Sequence, residues 1–408
     1  MTDAMTAPPR AAGAAPARAP RDVRLDVFRG LAMFIIFVAH VPGNAWTLWI
    51  PARFGFSDAT EIFVFCSGMA SAIAFGGAFS RHGWWMGTAR IAHRVWQVYW
   101  CHICLFIAIA ALMAALNATG AFERDYVGQL NLYPFFRNAE ENLIGLVTLT
   151  YVPNYFDILP MYLVILAMIP LVMGLAKANV WLVGLFVTVV WALGTTGLLE
   201  LPAEPWSERN WFFNPFAWQL VFFTGFAFMR GWLKPPPVTT RLVVIAAIIV
   251  LATVPLAYFR ILGAVPELRE VSQSLKPLTT KTGFGILRYV HFLALAYLAW
   301  VAVGPMGRRL VYTDWRSRII DVIRKVGQQS LAIFITSMIL ARIAGFVLDQ
   351  IGRNAATVPL VNLAGFAILI GVAYAVAWFK AQPWKAKPAT PPAAASALDG
   401  APAMSLKR

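Results

Sequence analysis

The stretch Leu25-Asp26-Val27-Phe28-Arg29-Gly30-Leu31-Ala32-Met33-Phe34-Ile35-Ile36-Phe37-Val38-Ala39-His40-Val41-Pro42-Gly43 sets the fold class. Between Arg29 and His40 every residue is apolar or glycine. Pro42-Gly43 then ends the helix that such a run forms. An apolar run of ~20 residues crosses a bilayer as a helix. Working outward from this one, nine more such runs follow: 58–79, 91–116, 157–176, 180–199, 212–231, 241–262, 283–303, 327–348 and 358–379. Composition agrees. Of 408 residues, 59% are hydrophobic and 13% charged, roughly half the charge of an average soluble protein. The chain is read as an all-α polytopic membrane protein of about ten transmembrane helices, and a soluble enzyme is excluded.

The net charge of +15 would suggest nucleic acid in a soluble protein. In a membrane protein it reflects the collection of Lys and Arg by cytoplasmic loops, so no nucleic-acid partner is expected. With both termini cytoplasmic, the inner segments hold 22 basic residues and the outer ones 9. The Ala/Pro-rich ends, 1–21 and 381–408, read as disordered cytoplasmic tails around a transmembrane domain at 22–380. The outer connection at 117–156 is too short for a separate soluble domain. Cys66, Cys101 and Cys104 lie in apolar runs, and an odd count there argues against a disulfide framework. Cys101-His102-Ile103-Cys104 has metal-like spacing without a second ligand pair, so no metal is expected and His102 reads as a satisfied core histidine.

Ionisable groups at membrane depth are costly and are functional candidates by default. Arg29 and His40 are 11 residues apart, close to three helical turns, so they share a face about 16 Å apart along the axis. Arg29 is placed at the inner mouth and His40 at the outer. A snorkelling Arg and a hydrogen-bonded His would be the structural alternative. Asp58 and Glu61, one turn apart, open the second run. Acidic groups suit a helix N-terminus and account for Asp58. Glu61 lies a turn deeper, at the depth of His40, and a carboxylate that orients an imidazole is the usual build of a general base. Arg90 and Arg94, one turn apart at the inner end of the third run, would join Arg29 in a phosphate-binding mouth. Asp157, Arg288 and His291 lie at outer helix ends. Arg288 and His291 would pair with Asp157 or Glu61, or bind an anionic group.

The pattern Arg29-x10-His40 on the first helix of a basic, ten-helix protein resembles the acyltransferase-3 superfamily. More specifically, Leu25-Asp26-Val27-Phe28-Arg29-Gly30-Leu31-Ala32 and Phe54-Gly55-Phe56-Ser57-Asp58-Ala59-Thr60-Glu61 resemble the OpgC family of osmoregulated periplasmic glucan succinyltransferases. The likeness extends to Pro153-Asn154-Tyr155-Phe156-Asp157, to Arg288-Tyr289-Val290-His291 and to Gly327-Gln328-Gln329-Ser330-Leu331. Later on that last helix the chain departs from the family, with Thr336 and Ser337 where a ring or His is usual. The resemblance implies a bacterial inner-membrane O-acyltransferase that moves an acyl group from cytoplasmic acyl-CoA, with succinyl-CoA as the donor, to hydroxyls of a periplasmic glucan. It implies His40 as the catalytic histidine and Arg29 as its motif partner, and on the reading above Glu61 or Asp58 would orient the imidazole. Arg29, Arg90, Arg94 and Ser330 would serve the acyl-CoA, and Asn154, Asp157, Arg288 and His291 the glucan. A transporter of glycans or organic anions is the competing class, because buried charges also line translocation paths.

Overall fold

The computed structural model describes residues 22–385, so the expected tails lie outside the described residues except for 381–385. In chain order the helices are α1 (Val23–His40), α2 (Ala59–Ala118), α3 (Tyr133–Arg137), α4 (Ala139–Thr148), α5 (Ile158–Ala178), α6 (Val180–Thr195), α7 (Pro215–Arg230) and α8 (Thr240–Ala257). They continue as α9 (Phe259–Ala264), α10 (Pro266–Ser274), α11 (Lys276–Thr279), α12 (Ile286–Val303), α13 (Trp315–Gln328), α14 (Ser330–Ile351) and α15 (Thr357–Ala381). Every apolar run read from the sequence carries a helix. Six helices, α2, α5, α8, α12, α14 and α15, are long and apolar enough to cross a membrane. By the same measure α1 is too charged, and α6 and α7 are too short.

The connection between the second and third runs is shorter than 80–90: their helices extend into that stretch and meet at Gly83. The second and third runs, both within α2, are two helices that fold back on each other: a Cβ on Gly87 would stand 2.5 Å from the Phe79 ring, and the kink between them is at Gly83, with φ 80° and ψ 176°. Such a conformation is open to glycine and rare for other residues. The stretch before the ninth run also folds, as α13, a strongly amphipathic helix that starts on the cap Asp314, which accepts from the Arg316 N–H.

Small residues let the helices approach closely, as membrane packing requires. A Cβ on Gly327 would stand 1.9 Å from the Asp26 carbonyl oxygen, so α13 lies backbone against backbone on α1. Gly68 makes the same approach to Phe222 and seats α2 on α7. Around these crossings Phe37, Phe106, Trp218, Phe222, Phe226 and Phe334 are buried. The buried amides of Asn44 and Asn362 exchange hydrogen bonds of 2.8 and 3.1 Å, tying the turn after α1 to α15. A buried polar pair so satisfied fixes register where apolar packing alone would slide.

α1 and α14 run side by side in the same direction. Ser330, at the start of α14, accepts a hydrogen bond from Arg29. Near its far end a Cβ on Gly345 would touch the Pro42 ring at 2.5 Å. This pairing positions the site.

Candidate active site

The two ends of the α1–α14 pair differ in chemistry. At the His40 end, Nδ1 lies 2.7 Å from the Ile36 carbonyl oxygen. A carbonyl only accepts, so Nδ1 carries the proton and the neutral ring keeps its basic lone pair on Nε2. His40 lines a cavity of about 680 Å³ together with Pro42, Asn44, Thr47, Arg53, Arg124, Gln129 and Arg342. Tyr155 meets the imidazole edge-on, ring centres 5.4 Å apart. Its hydroxyl donates to the Met338 carbonyl at 2.7 Å. Tyr155 has φ 87°, a conformation costing of order 1–3 kcal/mol for a non-glycine residue and typical of functional sites. Arg342 stands over the Tyr155 ring, its guanidinium 3.9 Å from the ring centre.

Glu61 does not orient His40. Its carboxylate takes a 2.5 Å ion pair from Arg288 and accepts the Asp58 N–H at 2.7 Å, closing a capping box at the start of α2. With both oxygens engaged and the residue wholly buried, Glu61 shapes the turn before α2. Asp58 accepts the Thr60 N–H and pairs with Lys281 at 2.5 Å. The charges of Asp58, Lys281 and Arg342 act on the His40 ring. The backbone carbonyl of Ile36, which no motif marks, holds the imidazole instead. Any side chain at that position offers the same oxygen, so sequence carries no signal for it.

The remaining outer candidates form struts. His291 Nδ1 receives the Ser57 N–H at 3.3 Å and stands 2.8 Å from the Ser57 hydroxyl, and its Nε2 faces Gly55, where a Cβ would come within 2.2 Å. Gly55 is needed there because the imidazole fills the space. Arg288 is spent on Glu61 and the Thr279 carbonyl. Asp157 is buried and accepts the Phe212 N–H at 3.2 Å. Asn154 accepts from Arg209, which also pairs with Glu204 at 3.0 Å. Burial raises the Glu204 carboxyl, but the bonds from Arg209 and Ser207 outweigh it and hold the group below its usual range. None of the four lines the His40 cavity.

At the opposite end of α1, three consecutive polar residues each find a partner: Gln328 donates to Asp26 at 3.1 Å, Gln329 accepts from Lys380 at 2.6 Å, and Ser330 accepts from Arg29. Arg94 donates to Gln97 and its charge reaches Lys380. Arg90 is exposed and stands over the Phe75 ring at 5.9 Å. Lys380, on the last turn of α15, therefore belongs to this basic end. A second cavity, about 410 Å³ and largely apolar, opens beside it among Arg24, Phe28, Cys66, Phe228, Phe292 and Trp300. Met33, Phe37, Phe63 and Phe334 are buried, with Phe63 and Phe334 stacked at 5.8 Å.

His102 is buried, but both its ring nitrogens lack a partner among the described residues, so it is not the satisfied core histidine expected. No cluster of His, Cys, Asp and Glu among the described residues suits a metal ion.

Neither curated proteins nor solved structures provide a match to the chain. A family model does. Residues 21–381, which include both ends of the α1–α14 pair, match the model described as OpgC protein, and the chain is therefore a membrane protein of the OpgC family.

Proposed function

We propose that this protein is an integral membrane O-acyltransferase of the bacterial inner membrane. It carries a succinyl group from cytoplasmic succinyl-CoA to a hydroxyl of a periplasmic glucan. The observation that carries the reading is His40: a histidine held through Nδ1, with Nε2 left basic, on the wall of a cavity large enough for a sugar hydroxyl and a thioester. Family membership over nearly the whole chain supports the reaction class.

The chemistry follows from the groups present. Nε2 takes the proton from the acceptor hydroxyl as its oxygen attacks the thioester carbonyl, and the C–O bond forms. As the tetrahedral adduct collapses, the C–S bond breaks and the imidazolium returns the proton to the departing thiolate, so CoA leaves as a thiol. Nothing need be acylated on the protein. Arg29, Arg94 and Lys380 would hold the phosphates of CoA at the far end. Arg offers them bidentate contacts that Lys reproduces poorly. Transfer of succinyl groups from succinyl-CoA to glucan by purified protein, followed by mass spectrometry, tests the reading. A transporter of glycans or organic anions would give none.

Two expectations accompany it. Arg29→Ala should weaken acyl-CoA binding by about 10–100-fold, the loss of one charged hydrogen-bonding group, while glucan binding stays at the parental value. Calorimetric titration of both ligands checks this, and unchanged donor affinity would reject the assignment of Arg29. Both termini should be cytoplasmic and 117–156 periplasmic, since basic residues concentrate on the inner side. A cysteine placed at Glu140 should react with an impermeant reagent in spheroplasts, and one at Ala393 should not.

A further inference from the structure

The cavity beside His40 is lined by Arg53, Arg124 and Arg342 and by no carboxylate. Arg124 is neutralised from behind by Asp349, at 3.2 Å, which Arg353 also holds at 2.6 Å. Arg53 is exposed and donates to the Thr47 carbonyl. Arg342 is different. It comes from the body of α14, and among the described residues it has no carboxylate partner, its Nε being buried without a hydrogen bond. It stands over the face of Tyr155, a neutral side chain that cannot balance its charge. A guanidinium held partly buried without a counter-charge is costly, and an anion in the cavity would relieve that cost.

The position of Arg342 limits which anion. From Ser330 to Arg342 is 12 residues, about 18 Å of helix, which matches the rise from Arg29 to His40. The guanidinium is thus at the depth of the imidazole, and both stand against the Tyr155 ring, whose centre is 5.4 Å from that of the imidazole and 3.9 Å from the guanidinium. A group reacting at His40 and bound by Arg342 carries its negative charge only a few bonds from its carbonyl. A short diacyl group does so. The phosphates of CoA, many bonds further away, do not.

We propose that Arg342, assisted by Arg53, binds the free carboxylate of the acyl group and selects dicarboxylic over neutral acyl donors. The proposal rests on the acyltransferase reading above and assigns selection of the acyl group within it. The Tyr155 ring, fixed through its hydroxyl to Met338, sets the guanidinium at a constant distance from the base. Arg342 is a specificity residue, and proton transfer stays with His40.

Purified protein is assayed with succinyl-CoA and with butyryl-CoA, which has the same chain length and no terminal charge. In Arg342→Gln the ratio of kcat/KM for succinyl over butyryl should fall by about 10–100-fold, as loss of a charged hydrogen bond predicts. Arg53→Gln, a change on an exposed loop, should lower the same ratio by a smaller factor. Because it is a ratio, partial loss of folded protein does not move it. An unchanged ratio in both variants would overturn the proposal, whatever the absolute rates. A parental protein that transfers neither acyl group would instead refute the acyltransferase reading itself.

Discussion

Replacing His40 by alanine is expected to lower acyl transfer by ~10²–10⁴-fold, the usual contribution of a positioned general base, while acyl-CoA binding persists. Little of the fold depends on this side chain. Its one hydrogen bond is to the Ile36 carbonyl of its own helix, and its ring faces the cavity. The helix end is held instead by Asn44 with Asn362, and by the bond from Arg353 to the Pro42 carbonyl. His40→Ala should elute as the parent does and titrate with acyl-CoA normally. His40→Gln, which retains a hydrogen-bonding group but no base of comparable strength, should be nearly as inactive. Parental turnover in a normally folded His40→Ala protein would remove the histidine from the mechanism.

The second large effect concerns stability. Glu61 is wholly buried and Arg288 nearly so, and they form one ion pair. Removing one member strands the other charge, at a cost of about 3–5 kcal/mol. Glu61→Ala also deletes the acceptor for the Asp58 N–H and opens the capping box of α2, worth about 1 kcal/mol more. Glu61→Ala should therefore unfold at clearly lower temperature in detergent. The double change Glu61→Leu with Arg288→Met, which removes both charges and keeps the volume, should recover most of the loss. A cycle with no recovery would mean that the two side chains act independently. Were Glu61 instead the orienting group of His40, Glu61→Gln would lower turnover without lowering stability, and the two readouts separate the roles.

Helical membrane architecture was legible in the sequence because hydrocarbon demands it locally. A backbone in lipid must satisfy its own hydrogen bonds, so a long apolar run is a helix wherever it packs. The shared face of Arg29 and His40 was legible for the same reason, since both lie on one helix whose geometry is fixed by residue count. The pairing of Arg288 with Glu61 was one of the alternatives left open, and the fold chose it. The two halves of α2 run further into 80–90 than their apolar runs because helix tolerates the charged residues there, so the turn between them shrinks to Gly83. Tertiary structure alone decided the partners. Glu61 has the depth of His40, yet its carboxylate is turned to Arg288 and the α2 N-terminus. Arg342 and Tyr155 are 187 positions apart in the chain, and only tertiary packing, with the Tyr155 hydroxyl bonded to Met338 of α14, sets them one against the other beside the imidazole. Residue spacing determines which face of its own helix a side chain occupies. Which neighbour that face meets depends on close approaches such as Gly327 to Asp26 and Gly345 to Pro42, and no local periodicity encodes these.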